Sequence, residues 1–230
     1  MSKSRPAPGT KHRAHRIRPA TAADVEAFEA LVNLAAPTEV DGFEEARLLA
    51  AAPATPPLTH GLALCLVAAL PDGTVAGALL GEPPVWLYEH PAVDTPRLHA
   101  DLQRRIGWVV AMATSPEHRN SGIATALLRE ARNRYRRAGF GLLGLYHEPE
   151  LEDFYRTHGY TSATGLIANL PHALLCLGKV DHLLTALSPL EPRVTVRQVP
   201  GHPYPVIGGL LPGTAVPHGV YFDGHVLRGR

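Results

Sequence analysis

The sequence has little cysteine, few aromatic residues and almost no net charge. Its 230 residues include two cysteines, Cys65 and Cys176, which lie within apolar stretches and lack the spacing of a metal site. This pattern argues against a disulfide framework and against a cysteine-based metal centre. We therefore expect a reduced, cytoplasmic chain with no disulfide and no bound metal.

The charge balance and the hydropathy pattern exclude further classes. With 22 basic and 21 acidic residues the formal net charge is +1, which argues against a globally cationic nucleic-acid-binding protein. No apolar run approaches the length of a membrane span, and the first residues lack the apolar core of a signal peptide. The hydrophobic content of 45% suits one sizeable core, and the length fits one domain or one domain with an appendage.

Residues 1–15 differ in composition from the rest of the chain. They contain four lysines and arginines and no acid, and no apolar periodicity is visible. We expect a disordered basic tail, the alternative being an arm that binds nucleic acid or a protein partner.

Local patterns predict the first elements. A short strand is expected at residues 16–18, followed by a helix capped by Thr21 or Asp24. A short helix is expected around residues 44–51. Two β-rich runs, 62–70 and 74–80, flank a Pro-Asp-Gly turn signal and predict a hairpin.

The stretch from Trp108 to Gly139 organises the rest of the chain. An apolar run ends at a Ser-Pro break and predicts a buried strand. A small-residue turn containing Gly122 comes after the break. The amphipathic helix beyond this turn is stopped at Gly139 and carries apolar residues at helical spacing, namely Ile123, Leu127, Leu128, Ala131 and Tyr135.

A strand, a glycine-containing loop and a helix in this order form an anion site. The loop and the first helical turn point backbone N–H groups at one spot, and the positive end of the helix dipole adds to their effect. The loop has neither the Lys-Ser/Thr ending of a P-loop nor the glycines of a dinucleotide fingerprint. Its pattern Arg-x-x-Gly-x-Ala resembles the acetyl-CoA-binding signature of the GCN5-related N-acetyltransferases (GNAT).

A second motif lies downstream. Another apolar run, residues 141–146, is followed by Phe154-Tyr155, three residues, and Gly159-Tyr160. This order is similar to the next strand, helix and turn of the same family. The resemblance implies that Tyr155 lies near the sulfur of the coenzyme and protonates the departing thiolate.

The resemblance covers roughly residues 16–170 and implies a mixed α/β (α+β) fold with a mostly antiparallel central sheet flanked by helices. It also implies direct transfer of an acetyl group from acetyl-CoA to an amine of a small molecule or protein. The strand end would bind the pantetheine arm through its main chain, and the loop would bind the pyrophosphate. The implied coenzyme-binding residues are Met112, Ala113, Thr114, Arg119, Asn120, Ser121, Gly122, Ile123 and Ala124.

The sequence does not identify the base that would take the proton of the amine. Some family members carry a glutamate early in the fourth strand, where this chain has residues 106–109 and no acid. Glu82 is the first candidate, followed by His90 and Glu89, and a water relay or an already neutral amine would need none of them. The missing acid also keeps open an alternative, a non-catalytic module that binds acyl-CoA or a partner.

The segment from Gly81 to Arg105 is unusually long. It places Trp86 and Tyr88 after a strand that borders the acceptor cleft in the family, where they would either pack a lid or touch substrate. A short helix is expected at residues 96–105.

Beyond residue 170 the resemblance fades. Residues 171–187 carry apolar side chains at helical spacing and predict a helix, residues 193–197 predict a strand, and Asp223-Gly224 predicts a hairpin. We expect residues 171–230 to be a C-terminal extension that completes the sheet, covers the cleft or makes a homodimer contact.

Overall fold

A computed structural model describes residues 14–35, 49–177 and 181–229. Most of the predicted basic tail lies outside these residues. Most of the helix expected at 44–51 also lies outside them, and the described part, residues 49–51, is helical. Within the described ranges no helix is both long enough and apolar enough to cross a bilayer.

Thirteen strands are seen in the described part of the chain. They are β1 (Arg16–Pro19), β2 (Leu64–Ala69), β3 (Val75–Glu82), β4 (Ile106–Thr114), β5 (Leu142–His147), β6 (Thr161–Ala163), β7 (Leu166–Asn169), β8 (Leu174–Leu177), β9 (Leu184–Pro189), β10 (Thr195–Gln198), β11 (Pro205–Gly208), β12 (Tyr221–Phe222) and β13 (Leu227–Arg228).

Five α-helices lie wholly within the same ranges. They are α1 (Val25–Ala35), α2 (Val85–Tyr88), α3 (Pro96–Gln103), α4 (Ile123–Arg137) and α5 (Glu152–Thr157). The predicted N-terminal cap is confirmed as a capping box between Thr21 and Asp24. It caps a single 3₁₀ turn, Ala22–Asp24, that leads into α1. The expected helix at 96–105 is confirmed as α3.

The main sheet has seven strands in the order β1-β2-β3-β4-β5-β9-β6. All neighbours are antiparallel except β4 and β5, which are parallel because α4 connects them. The predicted hairpin is confirmed as β2 and β3. The sheet is therefore mixed and mostly antiparallel, as expected.

Each face of the main sheet is covered by a different set of elements. Helix α4 buries Leu127, Leu128 and Tyr135 on one face, together with Tyr155 of α5. On the other face, α1 buries Phe28 and Val32 over one half of the sheet. We call these the α4 face and the α1 face.

A second sheet covers the other half of the α1 face. Its four strands have the order β10-β11-β7-β8. They share one apolar core with α2, α3 and the main sheet, to which Trp108, Leu142 and Ile207 contribute. A two-stranded hairpin, β12 and β13, lies at the predicted Asp223-Gly224 turn.

The prediction of a helix over residues 171–187 is wrong. The described residues of that segment form β8 and β9 instead, and β9 lies inside the main sheet between β5 and β6. Leu184 and Leu187 have helical spacing, but the hydrogen bonds available from β5 and β6 on either side favour an extended chain. The main sheet is thus completed by residues beyond 170.

Candidate active site

The parallel strands β4 and β5 separate at one end of the main sheet. Their pairing begins at Ile106↔Leu142 and stops at Val109↔Leu145, although both strands continue. A bulge lies at the same point, because Leu80 of β3 pairs with Ala111 and Gly81 pairs with Val109, leaving Val110 as an extra residue in β4. Such a bulge bends its strand and increases its twist.

The separation exposes a strand edge in the middle of the sheet. Beyond Val109 the side of β4 that faces β5 has no strand partner in the described ranges. Backbone N–H and C=O groups are obligatory hydrogen-bonding groups. This edge can therefore bind an extended ligand that carries amides of its own.

The loop before α4 has the geometry of an anion site. Asn120 and Gly122 adopt φ of 59° and 82°, and Gly122 caps the helix. The first intrahelical bond runs from the N–H of Ala126 to the carbonyl of Gly122. The N–H groups of Ile123, Ala124 and Thr125 consequently lack an intrahelical acceptor and face the loop opening.

Side chains hold this loop in place. The Ser121 hydroxyl donates to the carbonyl oxygen of His118, and Nδ1 of His118 lies 2.8 Å from Oγ of Ser115. From the sequence, Ser121 is either a phosphate donor or a helix-start residue. In the structure its proton goes to the loop backbone.

One cleft of about 510 Å³ joins the separated strands, the loop and α5. It is lined by Met112, Thr114, His118, Arg119, Asn120, Ser121, Gly122, Ile123, Ala124, Thr125, Leu151, Phe154 and Tyr155. Of the coenzyme-binding residues expected from the sequence, all except Ala113 line this cleft, and the expected acid Tyr155 lines it too. Ala113 packs on the α1 face, so only its backbone can contribute.

The hydroxyl of Thr114 is placed to bind a polar group of a ligand. Its hydroxyl oxygen is buried and has no hydrogen-bond partner among the residues described. A buried hydroxyl without a partner is costly. Because Thr114 lines the cleft, a polar group of a bound ligand would satisfy it.

Tyr155 is held by the rings around it. Its ring centroid lies 4.7 Å from that of His147, 5.1 Å from that of Phe154 and 5.7 Å from that of Tyr160. Burial raises the pKa of Tyr155 to about 12. The hydroxyl therefore keeps its proton at neutral pH and can act as an acid.

His147 is a neighbour of Tyr155 that the sequence reasoning missed. It lies on β5, is buried, and its Nδ1 donates to the carbonyl of Glu148 at 2.7 Å. Its Nε2 lies 2.8 Å from Oγ of Ser162, within hydrogen-bond distance. Both ring nitrogens are thus engaged, and the imidazole forms a fixed wall against the ring of Tyr155. A histidine inside an otherwise apolar strand is the signal that could have singled it out.

Four other residues line the cleft without a role in the sequence-based prediction. They are His118, Thr125, Leu151 and Phe154. Thr125 lies in the first turn of α4, directly after the loop, and this position is its signal in the sequence.

The base candidates lie outside the cleft lining. Glu82 ends β3 opposite Trp108, and strand alternation puts it on the α1 face with Leu80. Glu89 is exposed at the end of α2, and Nδ1 of His90 accepts from the N–H of Ala92 at 3.1 Å. None of the three is brought to Tyr155.

The long segment after β3 places aromatic rings on the α1 face at the same end of the sheet. Trp86 packs edge-on against Trp108 with centroids 5.1 Å apart, and Tyr146 lies 4.9 Å from Trp108. Trp86 and Tyr146 are partly exposed. Tyr88 is buried in the shared core, so it packs and does not face solvent.

Comparison with known proteins agrees with this geometry. The sequence model of the GNAT acetyltransferase domain matches residues 64–162, which run from β2 to β6 and contain the cleft. No curated protein sequence matches the chain significantly.

Solved structures are similar to this chain over about three quarters of its length. The ribosomal-protein-S18-alanine N-acetyltransferase from Escherichia coli superposes with a TM-score of 0.50 at 13% identity, over 77% of this chain and 95% of that one. A GCN5-related N-acetyltransferase from Kribbella flavida gives 0.49 at 19% identity, over 76% and 98%. The PaiA N-acetyltransferase from Thermoplasma acidophilum, solved with coenzyme A, gives 0.48 at 13% identity, over 76% and 99%.

The separated strands, the anion-binding loop and Tyr155 thus all lie within the part of the chain that matches the GNAT acetyltransferase domain.

Proposed function

We propose that this chain transfers an acetyl group from acetyl-CoA directly to a primary amine of a small molecule or protein. The observation that carries the proposal is a single cleft that combines an anion-binding loop, an unpaired strand edge and a protonated tyrosine. These three parts correspond in order to the pyrophosphate, the pantetheine amides and the thioester sulfur of the donor.

The loop residues 119–124 bind the pyrophosphate mainly through backbone N–H groups, and the Arg119 guanidinium adds charge. The free edge of β4 from Met112 to Thr114 hydrogen-bonds to the pantetheine arm, and the Thr114 hydroxyl takes one of its polar groups. Binding is thus distributed over main-chain groups that no single side-chain substitution removes.

The reaction forms a C–N bond and breaks a C–S bond. The neutral amine attacks the thioester carbonyl carbon, and the tetrahedral intermediate collapses with departure of the thiolate. Tyr155 gives its phenolic proton to that sulfur, and the amine proton passes to a base or to water. Oriented reactants and a proton donor aimed at the leaving group supply the rate enhancement.

The amine approaches from the α1 face. The coenzyme cleft opens on the α4 face, so the separated strands leave the thioester accessible from the other side. Glu82, Trp86 and Tyr146 lie on that side. Glu82 is our first candidate for the base, and the partly exposed rings offer a surface for an apolar part of the acceptor.

Binding of acetyl-CoA measured by calorimetry tests the cleft. We expect micromolar affinity for the wild type and its loss in Gly122→Trp, because the Cβ of residue 122 meets open space and the indole would fill the loop opening. Gly122→Ala is the matched control, since it carries the same strain of a positive φ without the bulk. A folded wild type that binds no acetyl-CoA would overturn the proposal.

A second candidate function is a binder of acyl-CoA without turnover. The observation in its favour is that none of the described residues lining the cleft is acidic. The transferase and the binder are distinguished by measuring the release of free thiol from acetyl-CoA in the presence of a panel of amines. A binder holds the coenzyme and releases no thiol above the rate without protein.

A further inference from the structure

Three aromatic rings form a cluster on the α1 face, at the end of the main sheet where β4 and β5 separate. Trp86 of α2 packs edge-on against Trp108 of β4, with ring centroids 5.1 Å apart. The ring of Tyr146 on β5 lies 4.9 Å from that of Trp108 and 5.8 Å from that of Trp86. We call these three residues the aromatic cluster. Trp108 is buried, whereas Trp86 and Tyr146 are partly exposed and present ring surface to solvent.

The aromatic cluster lies on the opposite side of the main sheet from Tyr155. The pairing of β5 with β4 ends at Leu145, so Tyr146 is the first residue of β5 beyond this pairing. Neighbouring residues of a strand point to opposite faces of its sheet. His147 contacts the ring of Tyr155 on the α4 face, and Tyr146 contacts Trp108 on the α1 face. The cluster therefore borders the gap between the two strands, where the thioester lies in the proposed function.

The packing of α2 fixes the position of Trp86. Leu87 and Tyr88, the next residues of this helix, are buried in the core that the two sheets share. The ring of Tyr88 also lies 4.9 Å from that of His99 in α3. Because the Trp86 ring is held before any ligand binds, little conformational entropy is lost when a ligand packs on it.

The spacing and the charge of the cluster favour an aromatic ligand over a cation. Centroid distances of 4.9, 5.1 and 5.8 Å are those of rings in direct contact, so an ammonium group does not fit between two ring faces. Burial raises the pKa of Tyr146 to about 12, so its hydroxyl carries no negative charge at neutral pH. Val110, the extra residue of β4, packs in the same core and is partly exposed, which extends the apolar surface to the gap.

We propose that the acceptor is a primary amine that carries an aromatic ring, and that this ring packs on Trp86 and Tyr146. A short alkyl chain then places the amine in the gap between β4 and β5. Aromatic rings in offset or edge-on contact attract each other beyond what their buried area provides, whereas a saturated ring of the same size provides the area alone. The inference rests on the proposed function, because it names the class of amine that is acetylated.

The first test compares three amines in the thiol-release assay. They are phenethylamine, its saturated analogue cyclohexylethylamine, and the diamine cadaverine. We expect kcat/KM for phenethylamine to exceed that for cyclohexylethylamine by about two- to tenfold, the span of an aromatic contact. The value for cadaverine should be lower than both, because the cluster offers no charge to a second ammonium group.

Trp86→Leu tests the ring on which this preference depends. Leucine keeps an apolar side chain over Trp108 and removes the aromatic ring, so the preference for phenethylamine over cyclohexylethylamine should fall below about twofold. Val85→Ala is the matched control. Val85 precedes Trp86 in α2 and is 57% exposed, so its truncation should leave the preference intact.

Tryptophan fluorescence gives a second readout that needs no turnover. Both tryptophans of the chain belong to the aromatic cluster. With coenzyme A bound in place of acetyl-CoA, phenethylamine should change the tryptophan emission saturably in the wild type and in Val85→Ala. In Trp86→Leu the emission of Trp108 should respond only at higher amine concentrations.

The remaining outcomes distinguish this inference from the proposed function. Equal kcat/KM for phenethylamine and cyclohexylethylamine, or a higher value for cadaverine, would overturn the inference and leave the transferase standing. Equal effects of Trp86→Leu and Val85→Ala on the preference would also overturn it. A saturable emission change without release of thiol would overturn the proposed function and support the aromatic surface. A wild type that binds acetyl-CoA and shows neither response would overturn both.

Discussion

At the scale of single residues, Tyr155 is the group whose chemistry depends most on its surroundings. Among the described residues its hydroxyl has no hydrogen-bond partner, although the ring is packed on several sides. Burial raises its pKa to about 12, so the proton is present through the neutral range. A free phenol beside a binding cleft is suited to protonating a leaving group.

Substitution of Tyr155 by phenylalanine separates chemistry from packing. Phenylalanine keeps the ring contacts with His147 and Tyr160 and removes only the hydroxyl. We expect kcat to fall by about a hundredfold, the usual scale for loss of a general acid. The calorimetric affinity for acetyl-CoA should stay within about twofold. An unchanged kcat would exclude Tyr155 as the acid.

At the scale of elements, β4 and β5 pack closely against each other just before these strands separate. Gly144 of β5 pairs with Trp108 of β4, and a Cβ at residue 144 would overlap the six-membered ring of the Trp108 indole. Trp108 in turn contacts Trp86 and Tyr146. The small residue on one strand makes room for the large residue on the other.

Gly144→Ala should therefore destabilise the fold. We expect the free energy of unfolding to drop by about 1–3 kcal/mol, the cost of overpacking a filled core. Denaturant unfolding measures it. The partner change Trp108→Phe removes the overlapping ring, so the double variant should recover part of the loss relative to the sum of the single changes. Simple additivity of the two losses would contradict the assigned contact.

At the scale of the whole molecule, ion pairs join distant parts of the chain. Arg105, which precedes β4, binds both carboxylate oxygens of Glu191 at 2.8 and 2.9 Å and also donates to the carbonyls of Gly139 and Leu210. These contacts link the two sheets. The Arg105 guanidinium lowers the pKa of Glu191 to about 2, and Arg18 likewise lowers that of Asp24 to about 2.

This pairing predicts an acid-dependent loss of stability. A carboxylate with a lowered pKa stabilises the fold above its unfolded pKa of about 4, and that contribution is lost as the pH falls toward 2. Unfolding measured between pH 6 and pH 2 should show this decline, and Glu191→Gln should make it shallower. Asp153→Asn removes one partner of an exposed ion pair with Arg156 and should leave the slope nearly unchanged. An equal effect of the two variants would contradict the prediction.

Local sequence alone determined the parts of this protein whose interactions are close in the chain. Residues 108–139 specify a strand, a loop with Gly122 and a helix, because apolar spacing and glycine placement act over a few residues. The hairpins at Asp72-Gly73 and Asp223-Gly224 result from turn chemistry for the same reason. The order of these elements with Phe154-Tyr155 predicted a GNAT domain, and the sequence match over residues 64–162 confirms it.

Only the tertiary structure decided what depends on distant partners. β9 is a strand because β5 and β6 offer it hydrogen bonds on both sides, which outweighs the helical spacing of its leucines. The contact of His147 with Tyr155 joins a strand to a helix, and the coenzyme cleft needs β4, the loop before α4 and α5 together. Apolar periodicity specifies which face of an element is buried. It does not specify which neighbour buries it, and that neighbour sets both the conformation and the site.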